Sequence, residues 1–254
     1  MVTLGSFIEF EHTVPKMAIP TPFAVAMIAG DTLMGTRLAR GVAGEFIGAA
    51  PDVAQIAGRL ALRYVEMRRA ELENQILSVR GLDLQSFYGA HQSLNPQVTM
   101  MLDQQMSQYN LGIELLVAGV DAAGAHIFSV QNPGQPEHQH DVIGYAAIGS
   151  GGIHALQAMI GFRHSPATPL RETVFQVYAA KRRAEVAPGV GLDTDMAIIS
   201  PSSVSFLDTA TLEKLKDLYN THGRTSEAAL VNELGKLNLE DGDDGSEVQV
   251  DDAK

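Results

Sequence analysis

Apolar and polar positions follow the spacings of strands and helices over most of the chain. The run Phe23–Ala29 is apolar at every position and has strand length, so it predicts a strand that is covered on both faces. Apolar residues then recur at helical spacing over Thr32–Gly48 and again over Pro51–Val79, where charged residues form a solvated face. The first eighty residues therefore predict a buried strand and two helices, the second of them long.

The middle of the chain carries the pattern of a β-hairpin. Ile113–Gly119 and Ala125–Val130 are apolar runs, and the short connection between them contains Asp121 and Gly124. The preceding stretch, Gly81–Gln108, is rich in Gln, Met and Asn in its second half. For that stretch we predict a short helix followed by a loop or a strand.

A further apolar segment ends in a glycine-rich turn. Val142–Ile148 predicts a strand, Gly149–Gly151 a tight turn, and the residues up to Ile160 a helix. At such a junction the hydroxyl of Ser150 and nearby backbone N–H groups can face a cleft, because glycine allows a sharp bend and a close approach to a ligand. A turn with a purely structural purpose has the same local sequence, so both interpretations stay open at this point.

The remaining pattern adds helices and one strand. Thr168–Ala184 has the apolar stripe of a helix, Asp195–Ile199 predicts a strand, and Asp208 is placed to cap a terminal amphipathic helix. Strand pairs and helices in this order imply two sheets between helix layers, which is an α+β fold.

Composition fits a single large domain. The chain has 254 residues, of which 45% are hydrophobic, and no compositional break divides residues 1–235. The absence of Cys excludes disulfides and cysteine-ligated metals, and it fits a reducing compartment. There is no secretory signal pattern, and no apolar run approaches the roughly 18 residues of a membrane span. We expect a soluble, cytoplasmic protein.

The net charge of −12 is concentrated at the C-terminus. Residues 240–254 contain seven acids and one base, which is half of the excess. Residues 236–254 are low in apolar side chains and predict a disordered, solubilising tail. The globular part is only mildly acidic, which argues against nucleic acid as a partner.

The run Glu137–Asp141, which reads EHQHD, is a candidate metal cluster. Alternate histidines on an extended chain project to the same side, and imidazole and carboxylate groups bind transition metals. The polar connection offers no Cys and no partner elsewhere in the sequence, so an exposed loop is the favoured interpretation. We predict no metal and no cofactor.

Several separated segments, taken together, resemble one family. Their order is GDTLMG after an apolar strand, IELLVAGVDAAGAHIFSV as a hairpin, AAIGSGGIHAL as strand, turn and helix, then PLRETVFQVYAAKRRAE and GVGLDTDMAII. This order resembles the proteasome β-type subunits over Phe10–Ile199, which is most of the globular chain.

The resemblance implies a fold, an assembly and a chemistry. The fold is the four-layer αββα sandwich of N-terminal-nucleophile hydrolases. The subunit would assemble with copies of itself or with related α- and β-type subunits into rings, which enclose a chamber for unfolded polypeptide. The mature family chain begins with Thr, whose hydroxyl attacks a peptide carbonyl while its own α-amino group is the base. That group has an unperturbed pKa of about 7.7–8.0, so it accepts a proton near neutral pH.

The resemblance also assigns supporting residues. Lys16 matches the active-site Lys of the family, and Ser150 matches the serine that supports the catalytic amine. Glu185 falls where the family usually carries an Asp, and Pro188 where it carries a Ser, so these two positions depart from the family pattern.

The start of the sequence is the larger departure. The family places a Thr-bearing strand, a turn and a second strand before the region that resembles Met1–Lys16. Thr3 lies only thirteen positions before Lys16, too few for those elements at about 3.3 Å per residue, so we do not expect Thr3 to be the nucleophile.

Three functions follow as alternatives. The first is an active threonine peptidase whose nucleophile is encoded upstream of Met1. The second is a non-catalytic structural subunit of the same kind of ring. The third is an N-terminal-nucleophile amidase or acyltransferase for small molecules, which a comparison of peptide and small-amide hydrolysis would distinguish.

Overall fold

A computed structural model describes residues 2–4, 8–10, 16–46, 51–90, 93–137 and 140–223. The chain divides into two compact units, Met1–Leu212 and Glu213–Lys254. Within the described residues, none of the helices combines the length and the apolar character needed to cross a membrane.

Nine strands, all paired antiparallel, form three sheets in the described residues. Strands β3 to β7 make a five-stranded sheet in sequence order, while β1 pairs with β2 and β8 pairs with β9. Their bounds are β1 Val2–Leu4, β2 Ile8–Phe10, β3 Met17–Thr21, β4 Ala24–Gly30, β5 Ile113–Asp121, β6 Gly124–Gln131, β7 Gln135–Glu137, β8 Ala197–Ile199 and β9 Val204–Phe206. The predicted strands at 23–29, 113–119, 125–130 and 195–199 are confirmed.

Eight α-helices accompany these strands in the described part of the chain. They are α1 Thr32–Ala43, α2 Val53–Leu72, α3 Leu84–Ala90, α4 Pro96–Gln108, α5 His140–Ile143, α6 Gly152–Gly161, α7 Leu170–Ala184 and α8 Thr209–Leu218. The end of α2 continues as a π-helical turn and then a short 3-10 segment to Arg80. The predicted helices that begin near residues 32, 52, 152, 170 and 209 are confirmed.

The main core lies between the five-stranded sheet and helices α1 and α2. Alternate residues of β4 and β5 face the helices, because side chains alternate across a strand. The buried members are Ala24, Ala26, Ile28, Leu38, Ala39, Val42, Val53, Ile56, Ala57, Leu60, Ala61, Tyr64, Leu111, Ile113, Leu115, Val117 and Val130. This face therefore has the helix layer that the sequence predicts.

Acidic caps fix where the two helices begin. The Asp31 carboxylate accepts a hydrogen bond from the Met34 amide at 2.9 Å, and Asp52 forms a reciprocal capping box with Gln55. The Asp121 carboxylate, at the end of β5, accepts from the Val53 amide at 2.9 Å and so ties α2 to the sheet.

The stretch 81–108 differs from its prediction. It contains two helices, α3 and α4. We predicted a loop or a strand after the first helix, and that prediction is wrong because α4 lies there. Asn95 caps α4 by accepting from the Gln97 amide at 2.9 Å, and Pro96 occupies the first turn, where its missing N–H costs nothing. Both helices pack on the end of α2 around a small apolar cluster: Leu72, Leu77, Phe87, Leu102 and Met106.

The predicted strand over Val142–Ile148 is wrong. The chain forms the short helix α5, turns at Gly144 and runs irregularly through residues 145–148. Gly144 has a φ of 82° and its amide donates to the His140 carbonyl at 2.8 Å, which closes the helical turn. The apolar run alone did not reveal the polar contacts that hold α5.

Beyond the main core, α6 packs against α7 around Ala158, Met159 and Ala180. Strand β8 approaches β5 without pairing with it. The α+β class agrees with this mixture of helices and antiparallel sheets, while the full four-layer sandwich stays a prediction.

Candidate functional site

The Gly149–Gly151 turn is confirmed, and its shape explains the glycine at its start. Gly149 has a φ of 81°, a region that L-residues rarely occupy, and a Cβ added there would lie 3.1 Å from the Ala29 side chain. The Gly149 carbonyl accepts from the Gly152 amide at 2.9 Å, which closes the turn as α6 begins. The turn therefore packs directly on the end of β4.

A carboxylate on the neighbouring strand holds the same turn. Glu114 lies opposite Ala29 in the β4–β5 register, and its Oε2 accepts the Gly149 N–H at 2.7 Å. Sequence reasoning missed Glu114. The signal that could have found it is a single acid inside the otherwise apolar run Ile113–Gly119.

The third side of the turn is the C-terminal end of α7. A Cβ on Gly151 would lie 2.9 Å from Ala184 Cβ and 2.9 Å from Val190 Cγ2, so the backbone approaches this end closely. The structure therefore brings the Gly149–Gly151 turn, called the Ser150 turn below, next to the segment that contains Glu185.

The contacts of Glu185 are structural. Its carboxylate is 8% exposed and accepts from Lys181 Nζ at 2.5 Å and from Arg182 at 2.9 Å. Lys181 also donates to the carbonyls of Gly191 and Leu192, at 2.9 and 2.8 Å. Burial lowers the pKa of Lys181, and the hydrogen bond to Glu185 opposes that shift. This cluster fixes the loop after α7, and within the described residues Glu185 makes no hydrogen bond to Ser150.

Ser150 itself is exposed to solvent. Among the hydrogen bonds of the described residues, none uses its hydroxyl, so the side chain has the accessibility that a supporting role requires. The structure leaves both interpretations of Ser150 in place, because a structural turn also exposes its central residue.

Lys16 lies at the same end of the sheet, immediately before β3. Its carbonyl accepts the Ile28 amide at 2.8 Å, and the β3–β4 register places it opposite Ile28. Ile28 packs on Gly35 of α1, whereas the adjacent Ala29 packs on the Ser150 turn. Since paired residues share a face of the sheet, the register assigns Lys16 to the α1 side. No contact between Lys16 and Ser150 is found in the described part of the chain.

Thr3 is the middle residue of β1 and lies opposite Glu9 of β2. Two short paired strands therefore do fit before Lys16, and the expectation that thirteen positions are too few for them is wrong. With Val2 before it, the Thr3 nitrogen is a peptide amide, which is not a base and becomes an amine only when residues 1 and 2 are removed. That Thr3 is not the nucleophile stays a prediction.

The candidate metal run has a different role where the structure describes it. Asp141 accepts from the Ile127 amide at 2.6 Å and bonds His126 Nδ1 at 2.7 Å, while His140 Nε2 lies 3.0 Å from Ser129 Oγ. These contacts fasten α5 to β6. His138 and Gln139 lie outside the described residues, and within those residues no group of three ligating side chains could hold a metal ion.

Electrostatics reinforce this fastening. The hydrogen bond to Asp141 raises the pKa of His126, and the nearby Asp121 adds to the shift. The pKa of Asp121 is lowered, chiefly because its carboxylate accepts the Val53 amide. His126 therefore joins α5 to the end of the β5–β6 hairpin.

One comparison with known proteins finds a relative. Over 80 residues, which are 31% of this chain, the sequence is 32% identical to proteasome subunit beta type-2 of Saccharomyces cerevisiae. The matched segment spans 29% of the length of that relative. No family model matches the chain. The comparison establishes a distant similarity to proteasome β subunits over less than a third of either protein.

Proposed function

We propose that this chain is a β-type subunit of a proteasome-like complex. The observation that carries the proposal is the 80-residue similarity to a proteasome β subunit. The antiparallel sheet under α1 and α2 and the closely packed turn around Ser150 support it. Its partners are copies of itself or related subunits in rings, in a cytoplasmic particle, and its substrate is unfolded polypeptide.

For peptide hydrolysis, the proposal gives each residue a role. The α-amine of an N-terminal Thr removes the proton from the Thr hydroxyl, which attacks the peptide carbonyl. Lys16 favours the reactive state by its charge, and Ser150 supports the amine by a hydrogen bond. In this proposal the active form carries that Thr N-terminal to residue 1, and Thr3 is not the nucleophile.

Two measurements on protein isolated from its own cells test the catalytic form. N-terminal sequencing is expected to give Thr at the first position of a chain longer than 254 residues, and a Thr-directed epoxyketone is expected to label that residue. A mature chain that begins at Met1 and resists the probe would rule out catalysis by this subunit. A Lys16→Ala variant is the control and is expected to abolish labelling without dissociating the particle.

The second candidate is a non-catalytic structural subunit of the same kind of ring. The observation in its favour is the register of β3, which assigns Lys16 to the α1 side of the sheet and away from the Ser150 turn. This candidate predicts ring particles of normal size and no epoxyketone labelling. Labelling of the chain would exclude it.

A further inference from the structure

We propose that Glu114 is a positioning residue that sets the Ser150 turn against the sheet. Its effect on catalysis rests on the function proposed above, while its effect on the turn does not. The proposal concerns a contact between residues 35 positions apart: the Gly149 N–H donates to Glu114 Oε2 at 2.7 Å.

Glu114 provides the directional contact of the turn. Gly149 packs against Ala29 and Gly151 packs against Ala184, but apolar contacts fix a separation without fixing an orientation. Within the part of the chain that the structure describes, the Gly149–Glu114 bond is the one hydrogen bond that joins residues 149–151 to the sheet. A hydrogen bond has a preferred angle, so its loss allows the turn to rotate about its packing contacts.

The environment of the carboxylate supports the same role. Glu114 is half-buried near the start of β5, and in the described residues its carboxylate makes neither an ion pair nor another hydrogen bond. Placing an acid in an apolar strand is unfavourable unless a donor satisfies it. A charged acceptor also binds an amide more strongly than a neutral one, which favours Glu over Gln at this position.

The cross-strand pair of Glu114 and Ala29 links the turn to the end of β4, on which the turn packs. Ala29 and Glu114 are directly opposite on β4 and β5, and both contact Gly149, one by packing and one by hydrogen bonding. One residue further along, Gly30 and Ile113 are paired where β4 ends and β5 begins. Glu114 therefore links the position of Ser150 to the end of β4 and the start of β5.

Hydrogen–deuterium exchange on the full chain tests the positioning role. The variants are Glu114→Ala and the isosteric Glu114→Gln. The matched control is Glu137→Ala, another strand carboxylate, which is exposed and makes no hydrogen bond with the described residues. Exchange in peptides covering residues 145–152 is expected to rise roughly tenfold in Glu114→Ala, equivalent to about 1.4 kcal/mol, and by less in Glu114→Gln. Residues 153–161 and 115–121 are expected to keep their protection.

Two exchange results would overturn the proposal. One is unchanged exchange at residues 145–152 in both Glu114 variants. The other is loss of protection throughout the sheet in Glu114→Gln, which would indicate general destabilisation.

Peptidase assays separate this proposal from the proposed function. If the assembled particle cleaves peptides, Glu114→Ala is expected to lower kcat at least tenfold with KM unchanged, and Glu114→Gln is expected to restore part of kcat. Equal kcat in wild type and variants would contradict the catalytic consequence. An inactive wild-type particle would count against the catalytic function, and the exchange result would still decide the role of Glu114.

Discussion

Single glycines determine how closely the backbones approach at the end of the sheet that carries the candidate site. Gly30, at the end of β4, has a φ of 81°, and a Cβ added there would lie 1.9 Å from the Gly112 carbonyl oxygen. The Gly112 carbonyl also accepts the Asp31 amide at 2.9 Å, so this contact positions the cap of α1. A side chain at position 30 would displace both the strand end and the helix that follows it.

Gly30→Ala is therefore expected to lower the free energy of unfolding by about 2–4 kcal/mol, from backbone strain and steric overlap. Urea denaturation measures the change. Gly58→Ala is the matched control, because Gly58 lies inside α2 and a Cβ there meets nothing within 4 Å. The control is expected to gain about 0.5–1 kcal/mol. Equal effects of the two substitutions would contradict the close contact at Gly30.

The pair His126 and Asp141 predicts a dependence of stability on pH. The folded-state pKa of His126 is raised, chiefly by the hydrogen bond to Asp141. Because the folded-state pKa is raised, protonated His126 stabilises the folded state. This stabilisation is fully present below the unfolded pKa of about 6.5 and is lost as pH rises through the folded-state pKa.

We therefore expect the free energy of unfolding of the wild type to exceed that of His126→Gln by more at pH 6 than at pH 8.5. These two gaps are expected to differ by on the order of 1 kcal/mol. Thermal unfolding at the two pH values measures it. His154→Gln is the control, since the His154 ring makes no hydrogen bond with the described residues. A gap between wild type and His126→Gln that is independent of pH would show that protonated His126 does not stabilise the fold.

At the residue scale, the sequence predicted the glycines of the turn but missed Glu114. Gly149 and Gly151 were predictable because few other residues fit a sharp turn before a helix. Glu114 acts across 35 positions, and no local pattern indicates which distant amide a strand carboxylate will accept. Lys16 and Ser150 were placed by resemblance, and their catalytic roles stay predictions.

At the element scale, Arg68 holds the end of α4 against α2. Its guanidinium donates to the carbonyls of Met106 and Tyr109 and to Asn132 Oδ1, at 2.9 to 3.2 Å. The two carbonyls lie at the end of α4 and just after it, where few backbone donors remain. The Tyr109 amide also donates to the Met106 carbonyl, at 3.3 Å. One side chain thus joins α2, α4 and the turn after β6.

Arg68→Ala is expected to cost about 1–3 kcal/mol and to increase hydrogen exchange in α4, because these carbonyls lose a charged donor. Arg68→Lys is expected to recover little, since an ammonium cannot reproduce the planar fork of a guanidinium. Arg69→Ala is the matched control, as the Arg69 side chain is exposed and makes no hydrogen bond or ion pair with the described residues. Equal stability of Arg68→Ala and Arg69→Ala would contradict this role.

Elements with regular periodicity were predictable, and those that depend on distant contacts were not. The hairpin of β5 and β6 and the helix α7 follow directly from apolar spacing. Val142–Ile148 has the apolar content of a strand. Its start instead belongs to α5, where the Asp141 carboxylate accepts a hydrogen bond from the Ile127 amide. In α4 the cap at Asn95 and Pro96 signalled a helix start that the prediction did not use.

At the scale of the whole molecule, the α+β class follows from the order of strands and helices. The sheet β3 to β7 and its cover of α1 and α2 form one sheet with one helix layer, and the four-layer sandwich stays a prediction. The remaining strands form two separate short pairs, β1 with β2 and β8 with β9. Short strands carry little periodic signal, so these two pairings were not accessible from local sequence.

We propose above that this chain is a proteasome-type subunit, and the oligomeric mass of the protein distinguishes a ring subunit from a protein that acts alone. Native mass spectrometry of the protein purified from its own cells is expected to show stacked rings of many copies, alone or with related subunits. A monomer or a dimer under the same conditions would contradict the claim.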